Sequence, residues 1–167
     1  MRQDVINGEE LRGDEESEPV VGDLVSPENT SILSALNNFY TAFNRRDVDK
    51  SISNWAQQDN VVMCNPMGGI RRGIESIQNG YQFIMEGDTH VYVEFYDYEL
   101  IESTELSYVT GRERGVARRG EIQLDLDIRT SRIYQKINGQ WRQIHHHGSM
   151  TDVNALQRYQ DFLIASA

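Results

Sequence analysis

Three consecutive histidines, His145, His146 and His147, are the residues of this chain best suited to chemistry. Histidine titrates near neutrality, so it can take up or release a proton, or ligate a metal. On an extended strand His145 and His147 share one face and His146 takes the other. Two histidines at that spacing hold a metal only if a third ligand joins them. The remaining histidine is His90, and no Cys/His cluster accompanies the three. No metal and no cofactor are therefore expected. His145 and His147 stand as acid/base candidates, against the plainer reading that they make polar contacts in a cavity or an interface.

Arg132 is the second candidate. It has the parity of Ile122, Leu124, Leu126 and Ile128, the apolar side of an alternating strand, so it is expected to point inward. A buried guanidinium needs an acidic partner or an anionic ligand. Two readings stay open: a carboxylate-bearing ligand in a cavity, or an ion pair with Glu94, Asp97 or Glu99. The remaining arginines, among them Arg71, Arg72, Arg112, Arg114, Arg118 and Arg119, read as scattered surface charge. Cys64, beside Met63 in an apolar run, reads as buried and inert. Gly68-Gly69 is too short for a phosphate loop.

The elements that must position these groups are legible in the residue pattern. Ser26-Pro27 is a helix-start signal. Ile32, Leu33, Leu36, Phe39, Tyr40 and Phe43 follow at helical spacing, to a stop near Asn44-Arg45-Arg46. Asp47 or Asp49 caps a short second helix carrying Val48, Ile52 and Trp55. Val61–Cys64 reads as a buried strand, broken by Asn65-Pro66-Met67-Gly68-Gly69. A third helix carries Ile74, Ile77, Tyr81, Ile84 and Met85 and ends before Gly87. From His90 the pattern turns to long strands, with turns near Ser103-Thr104, Arg119-Gly120 and Asn138-Gly139, the last a strong hairpin signal. Asp152 caps a final helix with Val153, Leu156, Tyr159 and Leu163 on one side. Helices gathered ahead of a meander indicate an α+β fold. Tyr92, Tyr96 and Tyr98 oppose Val91, Val93 and Phe95, so both faces of that strand are apolar, which suits a homodimer face.

The chain has 167 residues, which fits one domain. A single cysteine rules out an internal disulfide, and no signal-peptide core or membrane-spanning run is visible. A cytoplasmic protein without a membrane partner is expected. The net charge is −10, and residues 1–26 hold eight acidic and two basic side chains with no aromatic residue. They read as a disordered acidic tail ahead of a domain over 27–167. The domain is only mildly acidic, which disfavours nucleic acid as a partner.

This order of elements resembles that of the nuclear transport factor 2-like superfamily. The segment FYTAFNRRDVDKSISNWAQQDNVVMCNP resembles its opening helix pair and first strand, with Asn44, Asp47 and Asp49 in the connecting turn. GIRRGIESI resembles the link into the third helix. SRIYQKINGQWRQIHHHGS resembles the closing hairpin of SnoaL-like proteins and is similar to the association (hub) domain of calcium/calmodulin-dependent protein kinase II. The likeness covers residues 28–150.

The resemblance implies a cone-shaped, cystatin-like α+β barrel: a curved antiparallel sheet wraps the N-terminal helix, its open end admits a ligand, and its outer face makes a dimer. In the kinase hub domain the arginine matching Arg132 lines the pocket. In ketosteroid isomerase-like members a tyrosine and an aspartate base act together. Here Phe39 falls at the tyrosine position, with Tyr40 beside it, and Asn65 falls near the aspartate. Asparagine accepts no proton at neutral pH, which disfavours the ketosteroid isomerase reaction itself. The expectation is a pocket protein for a small, largely apolar molecule, working as a cofactor-free isomerase, dehydratase or hydrolase. His145, His147 and Tyr40 are its catalytic candidates, and Arg132, Trp55, Asn65 and Tyr81 its ligand-binding candidates. The alternative is a non-catalytic ligand-binding or hub-like oligomerisation domain.

Overall fold

The computed structural model describes residues 18–23 and 26–164. Helix α1 spans Ile32–Asn44, later than Ser26-Pro27 suggests. Ser31 caps it, exchanging bonds with Ser34 in a capping box. Ser26 lies against the side of the helix instead, because the Asn38 amide bonds both its N–H and its carbonyl at 2.9 Å. Helix α1 buries Ile32, Ala35, Leu36, Phe39 and Tyr40. Arg46 turns the chain with φ 58°. Asp47 then caps α2 (Val48–Ser53), accepting the Lys50 N–H at 3.0 Å.

After β1 (Val62–Cys64) and β2 (Arg71–Arg72) comes α3 (Ile74–Glu86). Four long strands follow: β3 (His90–Ile101), β4 (Leu106–Arg119), β5 (Ile122–Ile137) and β6 (Gln140–Met150). Helix α4 is Val153–Ile164, with the Asp152 carboxylate accepting the Asn154 N–H. Val153 is 84% exposed, so the buried side of α4 is Tyr159, Phe162 and Leu163 rather than the expected stripe. In β1, Met63 faces the core while Cys64 is only half-buried.

The strands form one curved sheet in the order β2-β1-β6-β5-β4-β3, parallel at β1/β6 and antiparallel elsewhere. Its concave face packs on α1 and α3. The Asn44 side chain ties the end of α1 to β3 by bonding both backbone groups of Val93, at 2.8 and 3.0 Å. Opposite Val93 sits Gly115, where a Cβ would come within 1.9 Å of the Tyr92 carbonyl oxygen. Strand and strand meet there too closely for any side chain.

Two bulges reset the alternation. In β3, Asp97 has φ 46°, and the pairing with β4 skips between Tyr96 and Glu99. Tyr98 is thereby carried to the inner face, stacked on Phe95 at 5.3 Å, and does not share a face with Tyr92. In β6, Ile133 pairs His145 while Tyr134 pairs Gln143, leaving Ile144 as the extra residue. Of the expected tail, residues 1–17, 24 and 25 lie outside the described residues. Val20 is no free leader: it is 4% exposed and exchanges two backbone bonds with Phe95 on the outer edge of β3.

Candidate functional site

A buried chain of polar side chains starts and ends on α1. The Ala35 carbonyl accepts from Asn54 at 2.8 Å, and Asn54 Oδ1 accepts from Gln143 at 2.9 Å. Gln143 Oε1 accepts from Arg132 Nη1 at 2.6 Å. Arg132 Nη2 pairs with Glu113 Oε1 at 2.7 Å, and the same oxygen accepts the Tyr40 hydroxyl proton at 2.7 Å. Arg132 is 1% exposed, and its guanidinium lies 4.0 Å above the Phe39 ring centroid. That stacking adds cation–π attraction to the ion pair. Burial, more than the neighbouring charges, raises the Tyr40 hydroxyl well above its ordinary pKa, so it is a neutral donor.

Beside this chain lies a cavity with an empty volume of about 510 Å³, its open mouth included. Phe43, Met63, Met67, Ile84, Val91 and Val93 supply most of its apolar wall. Arg132, Glu113, His146, Asn65, Tyr81 and Tyr159 supply its polar groups. His146 is 6% exposed and is the direct cross-strand partner of Arg132. Neither of its ring nitrogens has a hydrogen-bond partner among the described residues, nor has Arg132 Nε. Burial first, then Arg132 and the flanking histidines, push the His146 pKa well below 6.5. The imidazole is therefore neutral at pH 7, with one N–H donor and one accepting nitrogen. Burial also raises Tyr81 to about 12 and raises Tyr159 further.

These positions revise the site read from sequence. The bulge at Ile144 reverses the parity of β6, so His146 faces the cavity while His145 and His147 take the convex face. His147 is exposed. Arg132 points inward, but its acidic partner is Glu113 rather than Glu94, Asp97 or Glu99, and that partner neutralises the charge meant for a ligand carboxylate. Tyr40 sits behind the wall, against the cavity-lining Phe39, Arg132 and Glu113. Trp55 is fully buried behind Tyr81, donating its indole N–H to the Tyr81 hydroxyl at 3.2 Å. Asn65 and Tyr81 line the cavity; the Asn65 side-chain oxygen accepts the Met67 N–H at 3.0 Å.

Glu113 was missed, although it shares parity with Ser107, Val109 and Ala117, all buried. Tyr159 carried no sequence signal beyond its place on the last helix. Among the described residues no three His, Cys, Asp or Glu side chains group as metal ligands, and no helix is long and apolar enough to cross a membrane.

A curved sheet over helices, with a polar-tipped cavity between them, defines an α+β fold of the cystatin-like class. The SnoaL-like domain family matches residues 32–153, and the chain belongs to it. No curated protein matches the sequence. Solved structures share the fold at low identity. A Streptomyces avermitilis protein of the NTF2-like family, assigned as a dehydratase, superposes with a TM-score of 0.65 at 18% identity, over 71% of this chain and 92% of its own. A Thiobacillus denitrificans protein, assigned as a calcium/calmodulin-dependent protein kinase type II association domain, gives 0.60 at 19% identity, over 76% and 100%. A ketosteroid isomerase-like protein from Erwinia carotovora atroseptica gives 0.61 at 19% identity, over 76% and 98%.

Proposed function

We propose that the cavity binds a small, largely apolar molecule by one polar end, and that His146 moves a proton on it without a cofactor. The observation that carries this reading is a buried, neutral imidazole at an apolar cavity with both nitrogens unpartnered. A buried polar group left without a partner is costly, so such a site is retained where a ligand or water completes it. The free nitrogen accepts a proton from the bound molecule. Returned to another carbon, that proton makes the step an isomerisation; delivered to a departing hydroxyl, it makes it a dehydration that releases water. Arg132 Nε–H and Tyr81 are the groups placed to steady charge that develops meanwhile.

The test is binding of small cyclic alcohols and ketones by ligand-observed NMR, followed by deuterium wash-in from D2O. Wild type should accelerate exchange at carbon, and His146→Phe should abolish the acceleration while remaining folded. Equal exchange by both proteins, or no binding at all, discards the reading.

A second reading concerns assembly. Ile101, Tyr108 and Ile133 pair in a cross-strand row on the convex face, and Ile101, Leu106 and Tyr108 are about half exposed. This favours a homodimer through that face. Sedimentation of Tyr108→Lys should show monomer where wild type shows dimer; a monomeric wild type removes the dimer.

A further inference from the structure

The charges at the cavity cancel before any ligand arrives. Glu113 and Arg132 are 4% and 1% exposed and are joined at 2.7 Å, so the pair presents no net charge. Its Oε1 already accepts from two donors, Tyr40 and Arg132. Three buried nitrogens at this cavity lack a hydrogen-bond partner among the described residues. Arg132 Nε offers one donor, and the neutral His146 ring offers one donor and one acceptor. The two residues are cross-strand neighbours lining the same cavity.

The complement of two donors and one acceptor is an uncharged oxygen. A carbonyl oxygen has two lone pairs for the two donors. A hydroxyl has the same and also returns a proton to the accepting nitrogen. A carboxylate would add an unmatched negative charge beside Glu113 in a largely apolar enclosure, and an ammonium would add a positive one beside Arg132; either is costly where water is excluded.

We propose that this site takes a neutral molecule with an apolar body and one carbonyl or hydroxyl group, and that Glu113 sets this selectivity by cancelling the charge of Arg132. The inference rests on the pocket reading above but fails separately from it.

The experiment uses four compounds with one ring: cyclohexanone, cyclohexanol, cyclohexanecarboxylate and cyclohexylammonium. Dissociation constants are measured by NMR titration at pH 8. Wild type should bind the ketone and the alcohol at least about tenfold more tightly than either ion. In Glu113→Gln the side-chain oxygen still accepts from Tyr40 and Arg132, but the negative charge is gone, and the carboxylate should gain at least about tenfold relative to the ketone. In Arg132→Gln the remaining carboxylate should shift preference towards the ammonium, so one folded variant suffices. Wild type binding the carboxylate as tightly as the ketone overturns the inference and leaves the pocket standing. A folded variant with unchanged preferences overturns the role of Glu113. Binding of none of the four removes the pocket reading and the inference with it.

Discussion

Replacing Glu113 with alanine strands a guanidinium that is 1% exposed. Arg132 would keep its bond to Gln143 and its seat on Phe39, but no counter-charge would remain among its bonded neighbours. Breaking a buried pair by removing one partner costs about 3–5 kcal/mol. The Tyr40 hydroxyl loses its acceptor at the same time, and an orphaned buried donor costs about 1–3 kcal/mol. Relaxation and water entry into the vacated space offset part of this, so a loss of about 4 kcal/mol is expected. For a domain of this size each kcal/mol moves the melting temperature by about 2–4 °C, giving a drop of roughly 8–16 °C. The assay is urea unfolding of wild type, Glu113→Ala, Arg132→Met and the double variant. The double variant removes both charges together and should lose clearly less than the sum of the singles. A Glu113→Ala loss below about 1 kcal/mol, the worth of an exposed ion pair, would refute the reasoning.

Two further outcomes follow from the geometry. The His146 pKa is depressed in the fold by burial, then by Arg132, His145 and His147, and His145 is lowered too, by burial and then by His147. Glu113, Tyr81 and Tyr159 are the other titratable groups at the same cavity. Below 6.5 the unfolded chain binds these protons and the folded chain does not, so stability is full above that pH and falls as pH drops below it. Each such histidine contributes up to about 1.4 kcal/mol per pH unit, and urea titrations between pH 7 and 5 should show a shallower decline for His146→Phe; equal slopes would contradict its burial in the neutral form. Gly22→Ala places a Cβ within 2.5 Å of the Thr41 backbone nitrogen at a position with φ 74°. It should speed hydrogen exchange at the Phe95 amide, which bonds Val20, with little change in global stability; unchanged exchange would mean the segment holds by other contacts.

Much of the architecture was legible because hydrophobic period and turn chemistry are local. Most of the face of α1 (Leu33, expected on it, is exposed), the Asp47 cap, the Asn138-Gly139 turn and the inward parity of Arg132 needed nothing beyond neighbouring residues. The site was less legible, because two single-residue bulges decide it. Nothing around Ile144 announces an extra residue in β6, yet that residue exchanges His145 and His147 for His146 at the cavity. Asp97 gives a hint, since aspartate tolerates positive φ, but a hint is not a register. Glu113 was within reach: an acidic residue in phase with Val109 and Ala117 is an inward carboxylate, and the inward Arg132 on the next strand is its natural partner. The late start of α1 was hidden because it depends on Asn38 holding Ser26 aside, a contact between residues twelve apart.

The seat of Val20 on β3 bears on how the molecule avoids sticking to itself. A six-stranded open sheet has two rims, and here one is the two-residue β2 while the other is the twelve-residue β3. Long bare rims recruit strands from other molecules and seed fibrous aggregates. Among the described residues, this chain's own earlier segment acts as a stopper on the long rim through two backbone bonds at Phe95. Gly22 helps to seat it, its carbonyl accepting the Thr41 hydroxyl at 2.7 Å. Without that stopper, β3 would present an adhesive border open to sheet extension.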